Sequence, residues 1–428
     1  MNYNLDEIRR MFPALSIQDN GRRRIYFDNP AGTQVSNQVV QAMRDCLIES
    51  NANILGGFET SNRADRVLSE ARRAMADFLN ASSSEEIIFG QNMTTLTLHL
   101  SRSIGRQLSS GDEIILSRMD HDANISPWLL LAEDLNLEIK WLPFNTETFE
   151  FDLNELDTLI TNRTKLICVG GASNLLGTIN NIKAISQKAG NMGILTYIDA
   201  VQLAPHVAID VQDIGCDFLV CSAYKFFGPH QGILWGKKEV MHLLKPYKVR
   251  PATEELPSCF ETGTQSHEGI AGITASVDYF AWIGDKYAKE YVDKNQHKNQ
   301  HKNQQTQVIH AALNYLFEYE STLTDCLIEG LQTINHLKIQ GITEKEALQR
   351  RLPTVAFTIK GKKSPDIAAA LARENIFVWS GHSYALEVIK TLDLYDTGGV
   401  VRIGPVHYNS SKEIEDFIKT LEKVLGSI

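Results

Sequence analysis

The stretch DFLVCSAYKFFGPHQG, residues 217–232, joins a short apolar run to a lysine and a Gly-Pro turn. The apolar run is typical of a strand that is buried on both faces. Lys225 follows it, only three residues after Ser222. Because burying an ammonium group is costly, this position favours a lowered pKa or a covalent role for the lysine. The segment therefore predicts a sheet with a reactive group at the end of one strand.

Similar apolar runs recur upstream, separated by helical patterns such as residues 61–80 or by loops. Short runs rich in Ile, Val and Leu are typical of parallel strands that helices cross over. The runs are EEIIFG (85–90), DEIILS (112–117), LEIKWLP (137–143), TKLICVGG (164–171), GILTYIDA (193–200) and DFLVCSA (217–223). We therefore expect an α/β fold with a mostly parallel sheet through about residue 235, and ligands at the carboxyl ends of its strands.

A second group of polar residues follows the run at 194–198, where Asp199 ends the run and Gln202 comes three residues later. Asp199 occupies a strand-end position next to that of Lys225. Its carboxylate would pair either with the lysine or with the ring nitrogen of a cofactor, and the spacing leaves both interpretations open.

The composition is that of a globular protein, with 43% hydrophobic and 22% charged residues. A net charge of −10 argues against a general nucleic-acid binder, which needs a basic face. The N-terminus lacks a signal-peptide pattern, and no apolar run reaches the roughly 20 residues that a membrane span needs. Six cysteines without CxxC or zinc-finger spacing indicate reduced thiols and no metal site. We therefore expect a cytoplasmic protein that does not bind membranes.

A polar repeat, KNQHKNQHKNQQ at 294–305, contains no apolar residue and cannot contribute to a core. His297 and His301 have the spacing of a shared helix face and could ligate a metal, but a solvated surface segment is the favoured interpretation. A chain of 428 residues predicts two or three domains. A boundary near this repeat would separate them.

The C-terminal part predicts a smaller α+β domain, from the apolar segments at 352–361, 374–381 and 398–404. Its last helix would begin after Ser410 or Ser411, because either serine can cap the helix with Glu413 in the first turn.

Seven short motifs occur along the chain in one order. They are MTT (93–95), DHDAN (120–124), SNLLGT (173–178), YIDAVQ (197–202), SAYKFFGP (222–229), FETGT (260–264) and VRIG…HYN (401–409). Together with YFDNPAGT at 26–33, this order resembles the class V aminotransferase family, and within it the cysteine desulfurase and selenocysteine lyase branch. The resemblance rests on all seven motifs, since a single one carries little information.

The resemblance implies a fold-type I enzyme that depends on pyridoxal 5′-phosphate (PLP) and acts on a small amino acid. Such enzymes have a large domain with a mostly parallel, seven-stranded-type sheet and a small α+β C-terminal domain. We expect the large domain at 25–285 and the small domain at 286–428, with residues 1–24 folded back onto the small domain. A homodimer with active sites at the subunit interface is the usual arrangement.

The resemblance also implies roles for residues that would contact the ring. Lys225 would form the Schiff base and later act as the base at Cα. Asp199 would keep the pyridine nitrogen protonated, and Gln202 would hydrogen bond to the phenolic oxygen. His121 would stack on the ring and shuttle protons, although taken alone it is an ordinary polar loop residue. Asn174 would lie near the ring or the substrate.

Other matched residues would hold the two anionic groups. Thr94 and Thr95, at the start of a predicted helix, would bind the phosphate together with Ser222. Ordinary helix capping by the threonines is the alternative. Thr264 would reach the phosphate of the neighbouring subunit. Arg402 would bind the substrate carboxylate, and its alternative is a surface salt bridge at a strand end.

Two positions depart from the family pattern. Tyr224 precedes the lysine where cysteine desulfurases commonly have histidine. Their mobile-loop cysteine, which takes the substrate sulfur as a persulfide, would fall near Ser383 or Tyr384 in SGHSYALEV (380–388). Neither residue can accept sulfur in this way.

Another thiol would have to replace the missing one. Cys259 is the best candidate, because it lies five residues before Thr264 and could be near the dimer interface. Cys221 adjoins the lysine segment, but its place within a strand suggests an inert, buried thiol.

Without a nucleophilic cysteine, the simplest reaction is β-elimination from cysteine or a cysteine derivative, which yields pyruvate, ammonia and sulfide or a thiol. Desulfuration to alanine with another thiol is the second interpretation. Epimerisation or transamination, with Tyr224 or Tyr384 as acid, remains open. A non-catalytic scaffold that binds a partner is a different class, and the complete set of cofactor residues weighs against it.

Overall fold

The computed structural model describes residues 3–295, 302–396 and 398–427. The helices in these ranges are α1 Leu5–Arg10, α2 Asn37–Glu49, α3 Glu59–Leu79, α4 Met93–Gly105, α5 Ser126–Leu135, α6 Leu153–Leu159, α7 Ile182–Asn191, α8 Val211–Ile214, α9 Lys238–Met241, α10 His267–Tyr287, α11 Lys289–Asn295, α12 Gln304–Gln332, α13 Ser364–Arg373, α14 Leu386–Thr391 and α15 Ser411–Leu425. Among these helices, none has both the length and the apolar character of a membrane span.

The strands of the same ranges are β1 Gln18–Asp19, β2 Arg22–Arg23, β3 Ile25–Tyr26, β4 Ile87–Gly90, β5 Glu113–Ser117, β6 Glu138–Leu142, β7 Thr164–Gly170, β8 Leu195–Asp199, β9 Phe218–Ser222, β10 Gly232–Gly236, β11 Leu337–Gln340, β12 Val355–Ile359, β13 Ile376–Phe377, β14 Trp379–Gly381 and β15 Val400–Ile403. Seven of them form the main sheet in the order β4-β10-β9-β8-β7-β5-β6. The pairs from β6 to β9 are parallel, and β10 runs antiparallel to both β9 and β4. The expected mostly parallel sheet is confirmed.

Apart from the edge strand β6, the main sheet is buried on both faces, which explains why its strands are continuous apolar runs. In β7, Ile167 and Val169 belong to one core, whereas Leu166 and Cys168 belong to the other. This alternation is the period of two that a strand imposes on its side chains. Helices α3, α7, α10 and α12 contribute to the first core, and α4 and α5 to the second. The polar groups of these strands therefore concentrate at the strand ends.

A second, antiparallel sheet has the order β11-β12-β15-β14 and packs against α12, α13 and α15. The segment 374–381 contributes one strand to each of two sheets. Its first part, β13, pairs with β3 near the N-terminus, and only β14 joins the second sheet. The N-terminal segment also contacts the C-terminal region, since Arg9 Nη1 donates to Glu413 Oε1 at 2.9 Å.

A buried arginine connects the two sheets behind the strand ends. Arg351 is 1% exposed and donates to backbone carbonyl groups, among them that of Thr354 at 2.6 Å and that of Ile342. An isolated β-bridge pairs Arg351 with Thr178, which ends the SNLLGT motif. This contact holds the motif's turn against the second sheet.

His297 and His301 lie outside the described residues, as does the middle part of the polar repeat, residues 296–301. The last part of the repeat begins a helix, because Asn303 caps α12 by accepting from Thr306 N at 2.8 Å.

The cap of α15 yields a stability prediction. The structure assigns the cap to Ser410, whose Oγ accepts from Glu413 N at 3.1 Å while Glu413 accepts from Ser410 N, also at 3.1 Å. We expect Ser410→Ala to lower the free energy of unfolding by about 1 kcal/mol, measured by urea denaturation. Ser411→Ala is the matched control and should change it little. Equal effects of the two substitutions would contradict the assignment.

Candidate active site

Lys225 lies at the centre of the site. After β9 ends at Ser222, a single 3₁₀ turn, Ala223–Lys225, directs the lysine toward the other strand ends. Lys225 is 7% exposed, and its Nζ donates to the carbonyl of Pro30. Burial and the positive charge of Arg402 lower its pKa to about 7, while the Asp199 carboxylate acts in the opposite direction. Near neutral pH the amine therefore exists in its neutral, nucleophilic form to a large extent.

A chamber of about 90 Å³ lies beside Lys225 at the carboxyl ends of the parallel strands. The loops after β4, β5, β7, β8 and β9 line it. Its lining residues are Asn92, Met93, Thr94, His121, Ala123, Gly170, Ala172, Asn174, Asp199, Val201, Gln202, Ser222, Tyr224 and Lys225. The structure thus brings together most residues that the sequence singled out.

Asp199 is buried, and burial raises the pKa of its carboxyl to about 6. A hydrogen bond from Val201 N to Oδ1, at 2.9 Å, and the charge of Lys225 both act against this rise. Asp199 and Lys225 form no direct ion pair in the described structure. The interpretation of these two residues as a simple structural ion pair is therefore wrong. The Asp199 carboxylate is available to a cationic group in the chamber.

Two amides of the chamber have an unsatisfied oxygen. Gln202 Nε2 donates to Thr354 Oγ1 at 3.1 Å, and Asn174 Nδ2 donates to the carbonyl of Ser383 at 2.8 Å. Gln202 Oε1 and Asn174 Oδ1 are buried without a hydrogen-bond partner in the described structure. Because buried polar atoms are nearly always paired, these two groups indicate a polar ligand. Rotating the Gln202 amide would exchange the oxygen for a donor.

The N-terminus of α4 faces the chamber through Asn92, Met93 and Thr94. Asn92 caps the helix, since its Oδ1 accepts from both N and Oγ1 of Thr95 at 2.9 Å. The cap is therefore not a threonine. Gly232 in β10 permits this arrangement, because a Cβ there would lie 2.4 Å from the backbone carbon of Asn92. Free N–H groups at such a terminus favour an anion.

Thr95 and Thr264 lie apart from the chamber, together lining a separate surface cleft. Within one copy of the chain, Thr264 therefore does not join the candidate residues that line the chamber. Ser222, in contrast, ends β9 and lines the chamber.

His121 lines the chamber as a neutral imidazole. Its Nδ1 accepts from Ala123 N at 3.0 Å. Burial, followed by the positive charges of Lys225 and Arg402, lowers its pKa to about 3. With Nδ1 accepting, we infer that Nε2 carries the ring proton. The Tyr384 ring stacks on His121 with centroids 5.4 Å apart and planes 20° apart.

A wider cleft of about 530 Å³ opens outward from the chamber, and Lys225, His121 and Arg402 line it. Arg402 is 3% exposed, and its Nη1 donates to the carbonyl of Asn174 at 2.8 Å. Its Nε is buried without a partner in the described structure. Burial lowers the Arg402 pKa to about 10. Arg402 is therefore not part of a surface salt bridge, which was the alternative interpretation. Its guanidinium group keeps unused hydrogen-bond donors, and a binding site for a carboxylate needs such donors.

Tyr224 lines both the chamber and the cleft. Its ring lies 5.0 Å below Lys225 Nζ and stacks on His230 at 5.1 Å. Burial raises the pKa of its hydroxyl, which therefore stays protonated.

The six cysteines, all among the described residues, leave the site without a thiol. Five are buried, only Cys326 is exposed, and none lines the chamber or the cleft. Cys259 packs in the second core, where burial raises its pKa, and Cys221 is buried within β9. The expectation that Cys259 would be the best substitute thiol finds no support in this geometry.

Sequence reasoning missed two groups around the site. Asp120 is buried and accepts from Gly170 N at 2.9 Å and from Asn124 Nδ2 at 2.7 Å, and burial raises its pKa to about 7. It directly precedes His121 in the DHDAN motif, so its position was a usable signal. Pro30 contributes through its carbonyl group, which no sequence pattern reveals.

Three comparisons show which known proteins the chain is similar to. The family model described as Aminotransferase class-V matches residues 25–317 and 305–417. The chain is 31% identical to an aminotransferase-like protein FGM3 from Gibberella zeae, over 99% of each chain. It is 30% identical to a cysteine desulfurase from Yersinia pestis, over the full length of both. The apo structure of a cysteine desulfurase from Thermococcus onnurineus NA1 superposes with a TM-score of 0.85 at 26% identity, covering 99% of this chain and 98% of that one.

The lowered pKa of Lys225 yields a prediction for the ligand-free protein. The pKa of Lys225 falls from 10.5 in the unfolded chain to about 7 in the folded protein. Between these two values the unfolded chain binds a proton that the folded protein does not, so the free energy of unfolding decreases as the pH falls from about 10 to about 7. Lys225→Met removes the buried charge, so the variant should exceed the wild type in unfolding free energy. The excess should be largest below about pH 7, at most roughly 5 kcal/mol, and should shrink toward about pH 10.

Urea denaturation at several pH values measures this difference. Lys237→Met, at an exposed lysine beyond β10, is the control and should show little dependence on pH. A pH-independent difference for Lys225→Met would contradict the lowered pKa.

Proposed function

Because the chain belongs to the class V aminotransferase family, whose members are PLP-dependent enzymes, we propose that it binds PLP on Lys225 and cleaves the C–S bond of cysteine or a cysteine derivative by β-elimination. One observation carries the proposal: a buried lysine with a lowered pKa shares its site with an arginine that has free donors, and no thiol lines that site. The relatives named cysteine desulfurases make a sulfur amino acid the first substrate to test.

The donors and acceptors of the chamber fit PLP. The Asp199 carboxylate would pair with the ring nitrogen, and a cationic partner would lower its raised pKa. Gln202 and Asn174 have unsatisfied atoms for the ring substituents. His121 would pack on the ring face. We assign each of these roles as part of the proposal.

The phosphate would lie at the N-terminus of α4, against Thr94 and Ser222. Thr95 and Thr264 line the neighbouring surface cleft. We propose that Thr264 contacts the phosphate held by a second copy of the chain, in a homodimer with shared active sites.

When bound, PLP withdraws electrons from the Cα of an amino acid and so makes its proton easier to remove. Lys225 accepts that proton, for which its neutral form near pH 7 is suited. Arg402 binds the substrate carboxylate and thereby orients the Cα–H bond toward the lysine. Protonated Tyr224 and neutral His121 line the same chamber as the lysine, and we assign them the supply and transfer of protons. As the pH falls below about 7, protonation of Lys225 removes the base.

The lack of a thiol at the site favours elimination over desulfuration. A desulfurase needs an acceptor that takes the sulfur atom, and the loop expected to supply it has Ser383 and Tyr384 instead. In elimination the sulfur leaves with the bonding electron pair as sulfide or a thiolate, and no acceptor is needed. Epimerisation and transamination would use the same Lys225 and are distinguished by their products.

Product analysis tests this function. Protein loaded with PLP is mixed with L-cysteine or L-cystine, and pyruvate, alanine and sulfide or persulfide are quantified together. We expect pyruvate in step with sulfide or persulfide, and loss of at least about a thousandfold of the rate in Lys225→Ala, because the base is removed. Lys237→Ala should retain the wild-type rate.

Each other outcome has a defined meaning. Alanine in place of pyruvate would identify a desulfurase, and a drop in Cys259→Ser would then identify its thiol. Turnover of neither amino acid by wild-type protein with bound PLP would contradict the proposed reaction.

A further inference from the structure

The outer cleft is far larger than cysteine needs. Its volume of about 530 Å³ lies within the range of roughly 300–1,000 Å³ that is typical of pockets for drug-sized ligands. It is continuous with the reacting groups, since Lys225 and Arg402 both line it. Cysteine has only a thiol beyond Cβ, so it offers no group that would pack against Leu130 or Trp379 in this cleft.

Five of the side chains that line the cleft are apolar or aromatic and come from α4, α5, β14 and the loop after β14. They are Leu98, Pro127, Leu130, Trp379 and Tyr384. Leu130, Trp379 and Tyr384 are 52%, 50% and 65% exposed. Apolar side chains that are exposed together around one cleft indicate a binding site.

Trp379 is placed by the second sheet beside the carboxylate-binding group. It is the register partner of Arg402 in the β14–β15 pair, and side chains of such partners point to the same face. A substrate whose carboxylate is bound by Arg402 would therefore extend its side chain along the indole.

Tyr384 also lines the cleft, and the backbone around it is held in place. Its carbonyl accepts from Asp122 N at 2.7 Å, and the carbonyl of Ser383 accepts from Asn174 Nδ2 at 2.8 Å. Both Ser383 and Tyr384 have positive φ, 46° and 57°, which non-glycine residues adopt at a cost. The stack on His121 keeps the phenol ring at the cleft. The segment that replaces the family's cysteine thus forms a wall of the substrate site.

We propose that the preferred substrates are cysteine S-conjugates whose sulfur bears an apolar or aromatic group, bound between Trp379, Leu130 and Tyr384. The inference rests on the proposed function and names the substrate class for the same site. The cleft is also lined by Asp122 and Ser126. Ser126 Oγ donates to Asp122 Oδ2 at 2.6 Å, so these two polar groups are paired with each other and do not require a polar substrate group.

The reaction balances without an oxidant or reductant. The Cα proton passes to Lys225, the Cβ–S bond breaks, and its electron pair leaves with the sulfur as a thiolate. A double bond forms between Cα and Cβ. The released aminoacrylate tautomerises and reacts with one water to give pyruvate and ammonium, and the thiolate takes a proton to become the free thiol.

The test compares S-benzyl-L-cysteine with L-cysteine as substrates of the PLP-loaded protein, by measuring pyruvate and the released thiol or sulfide. We expect kcat/KM to be roughly tenfold or more higher for the conjugate. Leu130→Asp should lower the ratio of the two kcat/KM values by roughly tenfold, because it places a carboxylate against the benzyl group. Leu129→Asp, on the adjacent residue of α5 that does not line the cleft, should leave the ratio unchanged.

Trp379→Ala is a second variant in the cleft, and it is tested by the same ratio of the two kcat/KM values. Circular dichroism checks that each variant folds. Pyruvate from cysteine but none from the conjugate would overturn the inference and leave the proposed function intact. No pyruvate from either would contradict both. An equal effect of Leu129→Asp and Leu130→Asp on the ratio would also overturn it. Analytical ultracentrifugation gives one more outcome. If Leu130→Asp lowers the mass of the oligomer but leaves the ratio of kcat/KM values unchanged, a second copy of the chain covers the cleft, and the inference is overturned.

Discussion

The burial of one lysine ammonium group is the constraint on which the site depends. Lys225 lies at the end of a strand whose two faces are both covered, and its direct hydrogen-bond acceptor in the described structure is the Pro30 carbonyl. Burial and the nearby Arg402 disfavour the charged form, so a large fraction of the amine is neutral near pH 7. A neutral amine in a polar chamber suits a covalent bond to an aldehyde far better than a structural ion pair.

The second sheet completes the site, which explains why the small C-terminal region matters for chemistry. Arg402 and Trp379 come from adjacent strands of this sheet, and Thr354 holds the Gln202 amide. Hydrogen bonds from Asn174 to Ser383 and from Arg402 to Asn174 join the two sheets directly across the cleft. A shift of the second sheet would therefore move Arg402 and the cleft wall together.

Sequence reasoning predicted the sheet and the grouping of Lys225, Asp199, Gln202 and Ser222, because buried parallel strands have a distinct composition and their ends meet at one edge. His121 was placed with them only by the resemblance to the family. It did not predict that β10 is antiparallel, since apolar runs carry no direction. It placed Thr264 at the site of a neighbouring subunit, and within one copy of the chain Thr264 lies apart from the chamber. The cleft was also not predicted, because residues distant in sequence such as Leu130 and Trp379 meet there only through packing.

Borohydride trapping followed by peptide mapping tests the central claim most directly. The protein is incubated with PLP, reduced, digested and analysed by mass spectrometry. The account predicts a pyridoxyl-phosphate adduct on the peptide that contains Lys225, with a yellow colour that disappears on reduction, and no such adduct in Lys225→Ala. Protein that stays colourless with added PLP, or a label confined to exposed lysines such as Lys237, would contradict it.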